Sequence, residues 1–235
     1  MTQREISYIL TDIEGTTSDI RFVKEVLFPY AAARLPGFIR ERAEEPAVAA
    51  PLRAAAAELG CASLDLAAIT AGLLGWIEQD LKKTPLKDLQ GQVWRSGYLE
   101  GAFTGHLYED AHRNLRSWAA RGLRLGVYSS GSVEAQRLLF GYSDFGDLTS
   151  LLSDYFDTAV GHKREERSYQ NILSSLSALG RVRDAEQVLF LSDVVEELDA
   201  ARGAGMRTAE LRRDQLKGAG AHPVCVDFDQ VSALL

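Results

Sequence analysis

Residues 6–12, ISYILTD, form a short apolar run with β-branched and aromatic members that ends on a carboxylate, and Ile13, Glu14, Gly15, Thr16 and Thr17 follow it. A run of this length and make-up predicts a buried strand. A buried strand that finishes on two carboxylates and a glycine asks for a reason beyond packing. The same design returns later in the chain, where VLFLSD also ends on an acid, at Asp193.

Between the first strand and the rest, the pattern changes. From about 20 to 106 the segments FVKEVLFPYAAARL, PAVAAPLRAAAAELG, LDLAAITAGLLGWIEQDL and LKDLQGQVWRSGYLEGAF place apolar residues three and four apart in helix-favouring composition. Pro46, Gly60 and Thr84-Pro85 punctuate them. This reads as four or five helices and no strand. After Tyr108 the alternation resumes. EDAHRNLRSWAARG is a helix ending at Gly122, LRLGVYSS a strand, and SVEAQRLLFGY a helix capped by Ser132. YFDTAVG reads as a short strand over 155–160, residues 165–179 as a helix, QVLFLSD as a strand and VVEELDAARGAG as a helix. MRTAELR and PVCVDF read as further strands. The fold class expected is α/β: a Rossmann-like parallel sheet core, residues 1–19 and 107–235, with an all-helical domain over 20–106 inserted after the first strand.

In such sheets ligands bind beyond the carboxyl ends of the strands. Four strand ends there deliver Asp12 and Glu14; Ser129 and Ser130; Lys163, three residues beyond the strand at 155–160; and Asp193. Asp12 and Asp193 are hard oxygen donors suited to Mg²⁺, which binds through one or two carboxylates plus substrate phosphate. An ionised Asp can attack phosphorus. The hydroxyls and amides of SSGS at a helix start suit phosphate oxygens. Lys163 offers a compact positive charge, and Gly15 lets the backbone turn sharply. Each piece has an ordinary reading on its own: a turn, a cap, a surface lysine, a dipole-facing acid. Their conjunction, in order and each at a strand end, points to phosphoryl chemistry.

Bulk properties fit. The chain has 235 residues, a formal net charge of −7 and a pI near 5.2, which argues against a nucleic-acid partner. No apolar run approaches the roughly 18 residues of a membrane span, and no signal peptide is expected from MTQREISYIL. Cys61 and Cys225, and His106, His112, His162 and His222, show no disulfide framework or metal-ligand spacing. A cytoplasmic protein without a nucleic-acid or membrane partner is expected, acting as a monomer.

The pattern is similar to that of the haloacid dehalogenase superfamily of phosphotransferases. More narrowly, DIEGTTSDIRFVKEVLFPY, LQGQVWRSGY, GHLYEDA, VYSSGSVEAQRLLFG, FDTAVGHKREERSY and LFLSDVVEE resemble the enolase-phosphatase family, also called acireductone synthase. The resemblance runs over roughly 6–205 and is weakest over 38–70 and the last 30 residues. It implies a helical cap, one Mg²⁺ per chain and a small phosphate-ester substrate, 2,3-diketo-5-methylthiopentyl 1-phosphate, enolised and then dephosphorylated to the acireductone in methionine salvage. Carried over, it makes Asp12 the nucleophile and a metal ligand, and Glu14 the acid/base. In relatives Glu14 also contributes to the metal, through its backbone carbonyl. It makes Ser129, Ser130 and Lys163 phosphate-binding, Asp193 the remaining metal ligand, and Glu197 a candidate one layer further out. Phe28, Trp94 and Tyr98 are aromatic candidates for the methylthio tail, with packing inside the cap as their more ordinary use. The rival readings are another Mg²⁺-dependent phosphatase of the superfamily and, from a different class, a silent phospho-ligand-binding protein.

Overall fold

The structure is a computed structural model that describes residues 5–61, 65–213 and 220–235. Strand β1, Tyr8–Thr11, is buried along its whole length. It occupies the middle of a six-stranded sheet in the order β3-β2-β1-β4-β5-β6, with every neighbouring pair parallel. A strand with parallel neighbours on both sides and covered faces must be apolar on both faces, which is why Tyr8, Ile9 and Leu10 are consecutive apolar residues.

After β1 the chain enters helices: α1, Ile20–Phe22, a π-helical turn over Val23–Leu27, α2, Phe28–Arg42, α3, Pro46–Leu59, α4, Leu66–Glu78, and α5, Thr84–Leu99. Residues up to Ile20 together with Gly105–Leu235 make one compact unit, and Arg21–Thr104 another. Among its described residues the second unit contains no strand. Its core is built from Leu35, Ile39, Leu52, Ile69, Leu73 and Leu89. Asp65 caps α4 by accepting from the Ala67 and Ala68 amides, and Gly60 ends α3 in the left-handed conformation.

The first unit then alternates: α6, Glu109–Ala120, β2, Arg124–Tyr128, α7, Val133–Gly141, β3, Leu152–Phe156, α8, Glu166–Ala178, β4, Val188–Ser192, α9, Val195–Gly203, β5, Arg207–Leu211, β6, Val224–Cys225, and α10, Phe228–Ser232. Tyr8, Leu10, Tyr128, Tyr169, Ile172, Phe190 and Leu198 form the cluster that binds α8 and α9 to the sheet.

The structure corrects two sequence expectations. The strand read at 155–160 is β3, which starts at Leu152 and stops at Phe156. Asp157 accepts from the Ala159 amide and turns the chain into a 3₁₀ turn over Thr158–Val160, so Lys163 lies on a loop further from the strand than the spacing suggested. β3 is an edge strand with mixed burial, and Ser153 and Asp154 hide its start in the sequence. PVCVDF yields only the two-residue β6. Asp227 accepts from the Gln230 amide and starts α10, which docks on α6 by stacking Phe228 against Trp118.

Gly126 of β2 is pressed against β1. A Cβ there would overlap the Tyr8 hydroxyl and come within 2.9 Å of Tyr8 Cζ, while the Tyr8 hydroxyl donates to Asp154 at 3.0 Å. Gly126→Ala is therefore expected to lower the unfolding free energy by about 1–3 kcal/mol, read from urea unfolding; a change inside experimental error would show that the ring has room to retreat.

Candidate active site

Register sets the site. β1 pairs with β4 so that Thr11 lies opposite Leu191, and the Asp12 amide extends the ladder to the Leu191 carbonyl at 2.9 Å. Asp12 and Asp193 are therefore the residues with which two adjacent strands leave the sheet. Past Asp12 the chain closes into a tight turn, with the Thr16, Thr17 and Ser18 amides all donating to the Ile13 carbonyl. Thr17 also donates its hydroxyl to the Asp12 carbonyl at 3.2 Å. Gly15 has φ +76°, and a Cβ on it would lie 2.6 Å from Asp193 Cγ. The β1 turn thus packs directly on the Asp193 carboxyl.

Lys163 reaches this edge from its loop. Its Nζ lies 2.6 Å from Asp12 Oδ1 and 2.7 Å from Glu197 Oε2, with all three side chains at most 10% exposed. The Tyr128 ring centroid is 5.6 Å from Nζ. The loop is fixed from below: Tyr169 donates its hydroxyl to the Lys163 carbonyl at 2.7 Å, and Tyr128 to the Gly161 carbonyl at 3.0 Å. Burial alone would lower the pKa of Lys163, but Asp12 and then Glu197 outweigh it and hold the ammonium above its ordinary value. Burial pushes Glu197 up, reinforced by Asp12 and opposed by Lys163 and the Ser192 hydroxyl. Asp193 is exposed to solvent. Its carboxyl is nevertheless pushed up to about 6, by lost hydration first, then by the charge of Asp12, with Glu14 adding to it.

Ser129 is buried at the end of β2. Its amide donates to the Phe156 carbonyl at 3.1 Å, and its hydroxyl accepts from the Gly131 amide at 3.1 Å, which leaves the hydroxyl proton as a donor. Buried Gln136 donates to the Gly131 and Phe156 carbonyls at 2.9 and 2.8 Å and so ties this loop to the end of β3. Ser130 and Glu14 are half-buried on their loops, and Glu14 forms an isolated parallel bridge with Ser18.

This is a cluster of alternating charge at the carboxyl edge of a parallel sheet, beside a serine loop. A family model for haloacid dehalogenase-like hydrolases matches residues 6–205. The chain is 53% identical to an enolase-phosphatase of Serratia proteamaculans, covering 96% of both chains, and 54% identical to one of Pseudomonas aeruginosa, covering 96% of this chain and 98% of that one. A crystal structure of the yeast protein called unknown transcript 4, from Saccharomyces cerevisiae, superposes with a TM-score of 0.76 at 35% identity, covering 96% of this chain and all of the other. The chain belongs to the enolase-phosphatase family of haloacid dehalogenase-like hydrolases.

Within this enolase-phosphatase the predicted residues fall into groups. Asp12 and Lys163 are in contact, and Asp193 feels the charge of Asp12 and Glu14. Ser129 sits on the neighbouring strand end. Glu197, read from sequence only as an outer candidate, is a direct partner of Lys163, and its place four residues past Asp193 on α9 was the available signal. Gln136 was missed altogether, because a glutamine inside a helix carries no signal of its own. Of the aromatic candidates, Phe28 and Trp94 stack on each other with centroids 6.5 Å apart, and Tyr98 packs edge-on against Phe103, all inside the helical unit. Among the described residues no three His, Cys, Asp or Glu side chains converge as a metal-binding group, and no helix is long and apolar enough to cross a membrane.

Lys163→Met leaves two buried carboxylates without their cation. Loss of one partner from a buried pair costs about 3–5 kcal/mol, and urea unfolding of the variant is expected to show a loss of that size; a loss below about 1 kcal/mol would mean that hydration cost and ion pairing cancel here.

Proposed function

We propose that the chain is a Mg²⁺-dependent enolase-phosphatase that enolises 2,3-diketo-5-methylthiopentyl 1-phosphate and then dephosphorylates it to the acireductone in methionine salvage. The observation that carries the reading is the buried Asp12 carboxylate paired with Lys163 at the carboxyl edge of the sheet, in a chain more than half identical to enolase-phosphatases over nearly its whole length.

The donor set suits magnesium. Two carboxylates, Asp12 and Asp193, leave adjacent strand ends, and the charge of Asp12 helps push the Asp193 carboxyl up; Mg²⁺ takes one or two carboxylates and fills the rest with water and phosphate oxygens. Asp12, Asp193 and the Glu14 backbone carbonyl would hold the ion, which supplies charge neutralisation of the phosphate and polarisation of bound oxygens.

The chain's own groups do the remaining work. Lys163 and the hydroxyls of Ser129 and Ser130 hold the phosphate oxygens. Asp12 attacks phosphorus in line; the new bond is an aspartyl-phosphate, and the P–O bond to C1 breaks with its electron pair left on the ester oxygen. Glu14 protonates that oxygen, then takes a proton from the water that hydrolyses the acyl phosphate. The proton lost in enolisation sits on C1, the carbon that carries this same ester oxygen and adjoins a carbonyl. One carboxyl can therefore serve both steps, and the longer reach of Glu compared with Asp suits that. The small phosphate ester is the partner proposed, with the protein acting as a monomer in the cytoplasm.

The test is to supply the diketo phosphate with Mg²⁺ and to follow enol and acireductone by ultraviolet absorbance. Wild type is expected to release both and to stop in EDTA. Asp12→Asn should release no phosphate, since an amide is a poor nucleophile; turnover within tenfold of wild type would remove Asp12 from that role.

Glu14→Gln separates the two steps. The variant is expected to lose roughly 10²–10⁴ in each, shown by C1 proton exchange in deuterated water and by turnover of an enol phosphate supplied directly. Continued exchange with dephosphorylation lost would assign enolisation to another base.

A further inference from the structure

The turn that carries Asp12 and Glu14 has an anchor that none of the roles above uses. Arg213 follows β5, and its side chain is 8% exposed. Its Nε and Nη2 both donate to the Thr16 carbonyl, at 3.0 and 2.5 Å, and its Nη1 donates to Asp110 Oδ2 at 2.7 Å. The guanidinium lies over the Tyr108 ring at 4.1 Å and the Phe228 ring at 5.1 Å. Tyr108 adds its amide to the Thr17 carbonyl at 3.0 Å, and Asp110 Oδ2 also accepts from the Phe228 amide at 2.8 Å. The end of β5, the start of α6 and the start of α10 therefore converge on two carbonyls of one turn.

A buried guanidinium needs its donors filled. One carboxylate, shared with a backbone amide, takes one donor of the fork, and the Thr16 carbonyl takes two more. The turn is closed on itself through the Ile13 carbonyl, and the Gly15 amide donates to the Ser18 carbonyl at 2.8 Å. These bonds link Thr16 to the segment between Asp12 and Ser18, so a shift at Thr16 would be felt at Asp12 and Glu14.

We infer that Arg213 is a positioning residue: through the Thr16 carbonyl it sets where the Asp12 and Glu14 side chains stand, without touching substrate. The inference rests on the enolase-phosphatase reading for its catalytic consequence, but not for its structural one. Because the contact is to backbone rather than to the reacting groups, its loss should act on kcat and leave substrate binding by Lys163, Ser129 and Ser130 largely in place.

Arg213→Lys keeps the charge opposite Asp110 and removes the planar fork. The expected result has three parts. The urea midpoint stays close to wild type. The Thr16, Thr17 and Ser18 amides exchange with deuterium about tenfold faster or more. With the diketo phosphate, kcat falls about tenfold or more while KM stays within about threefold, as expected for misplaced catalytic groups. Amide exchange and kcat both within about twofold of wild type would overturn the inference. So would a fall in kcat with exchange unchanged, faster exchange with kcat unchanged, or a fall in kcat that merely follows a lowered midpoint. If Arg213→Lys does not fold, Arg213→Ala decides: restoration of kcat by methylguanidinium, and not by methylammonium at equal ionic strength, supports the inference, and no restoration overturns it. Wild-type protein that releases no phosphate would refute the proposed function instead, and the exchange measurement would still decide whether Arg213 holds the turn.

Discussion

One ammonium group, Lys163 Nζ, sits between Asp12 and Glu197 with little access to water, and the site depends on it. Charges so placed attract strongly because little solvent screens them, and they are costly to bury for the same reason. The arrangement is stable only if geometry is fixed in advance. Tyr128 and Tyr169 do that: their rings join the core below the site while their hydroxyls hold the Gly161 and Lys163 carbonyls. Core packing and the geometry of the charged cluster are here set by the same two side chains.

Lys163 does not balance the edge. Four carboxyl groups, Asp12, Glu197, Asp193 and Glu14, gather around one lysine, and the Asp193 carboxyl is pushed up first by lost hydration and then by the charge of Asp12. A protein kept in this state would be better off without one of the acids. Under the proposed function a divalent cation would offset that crowding of acids, and Lys163, with the serine loop, would meet the phosphate. The unequal charge is thus an argument for ligand binding that no single residue carries.

Much of this was legible in the sequence because the central strands are buried on both faces. β1, β2 and β4 announce themselves as apolar runs, and each hands over to polar residues where the sheet stops, so Asp12, Ser129 and Asp193 could be placed at one edge before any coordinates. The edge was harder. β3 is buried only at its two ends and contains Ser153 and Asp154, so its start was invisible, and the residues read as its end belong to a turn shaped by Asp157. β6 is short because Asp227 begins a helix. Glu197 was legible as a candidate from its place after Asp193, but its contact with Lys163 was not, and neither were those of Gln136 on the Phe156 carbonyl and of Arg213 on Thr16. Each is decided by which strand lies beside which, and that is a property of topology rather than of any local pattern.

Gly15 shows how topology reaches down to one atom. The sheet order sets β1 beside β4, the register sets Asp12 level with the end of β4, and the chain after Asp12 must turn at once to leave the sheet. That turn runs across Asp193. A side chain at position 15 would occupy the space of the Asp193 carboxyl, and the backbone there has a positive φ that side chains disfavour. Moving the turn away would make room, but the Thr16 carbonyl is held by Arg213 and the Thr17 carbonyl by Tyr108. The glycine that follows two carboxylates in the sequence is therefore what allows the two acidic strand ends to face each other at all. With a side chain at position 15, the turn that carries Asp12 could not lie against the Asp193 carboxyl as it does.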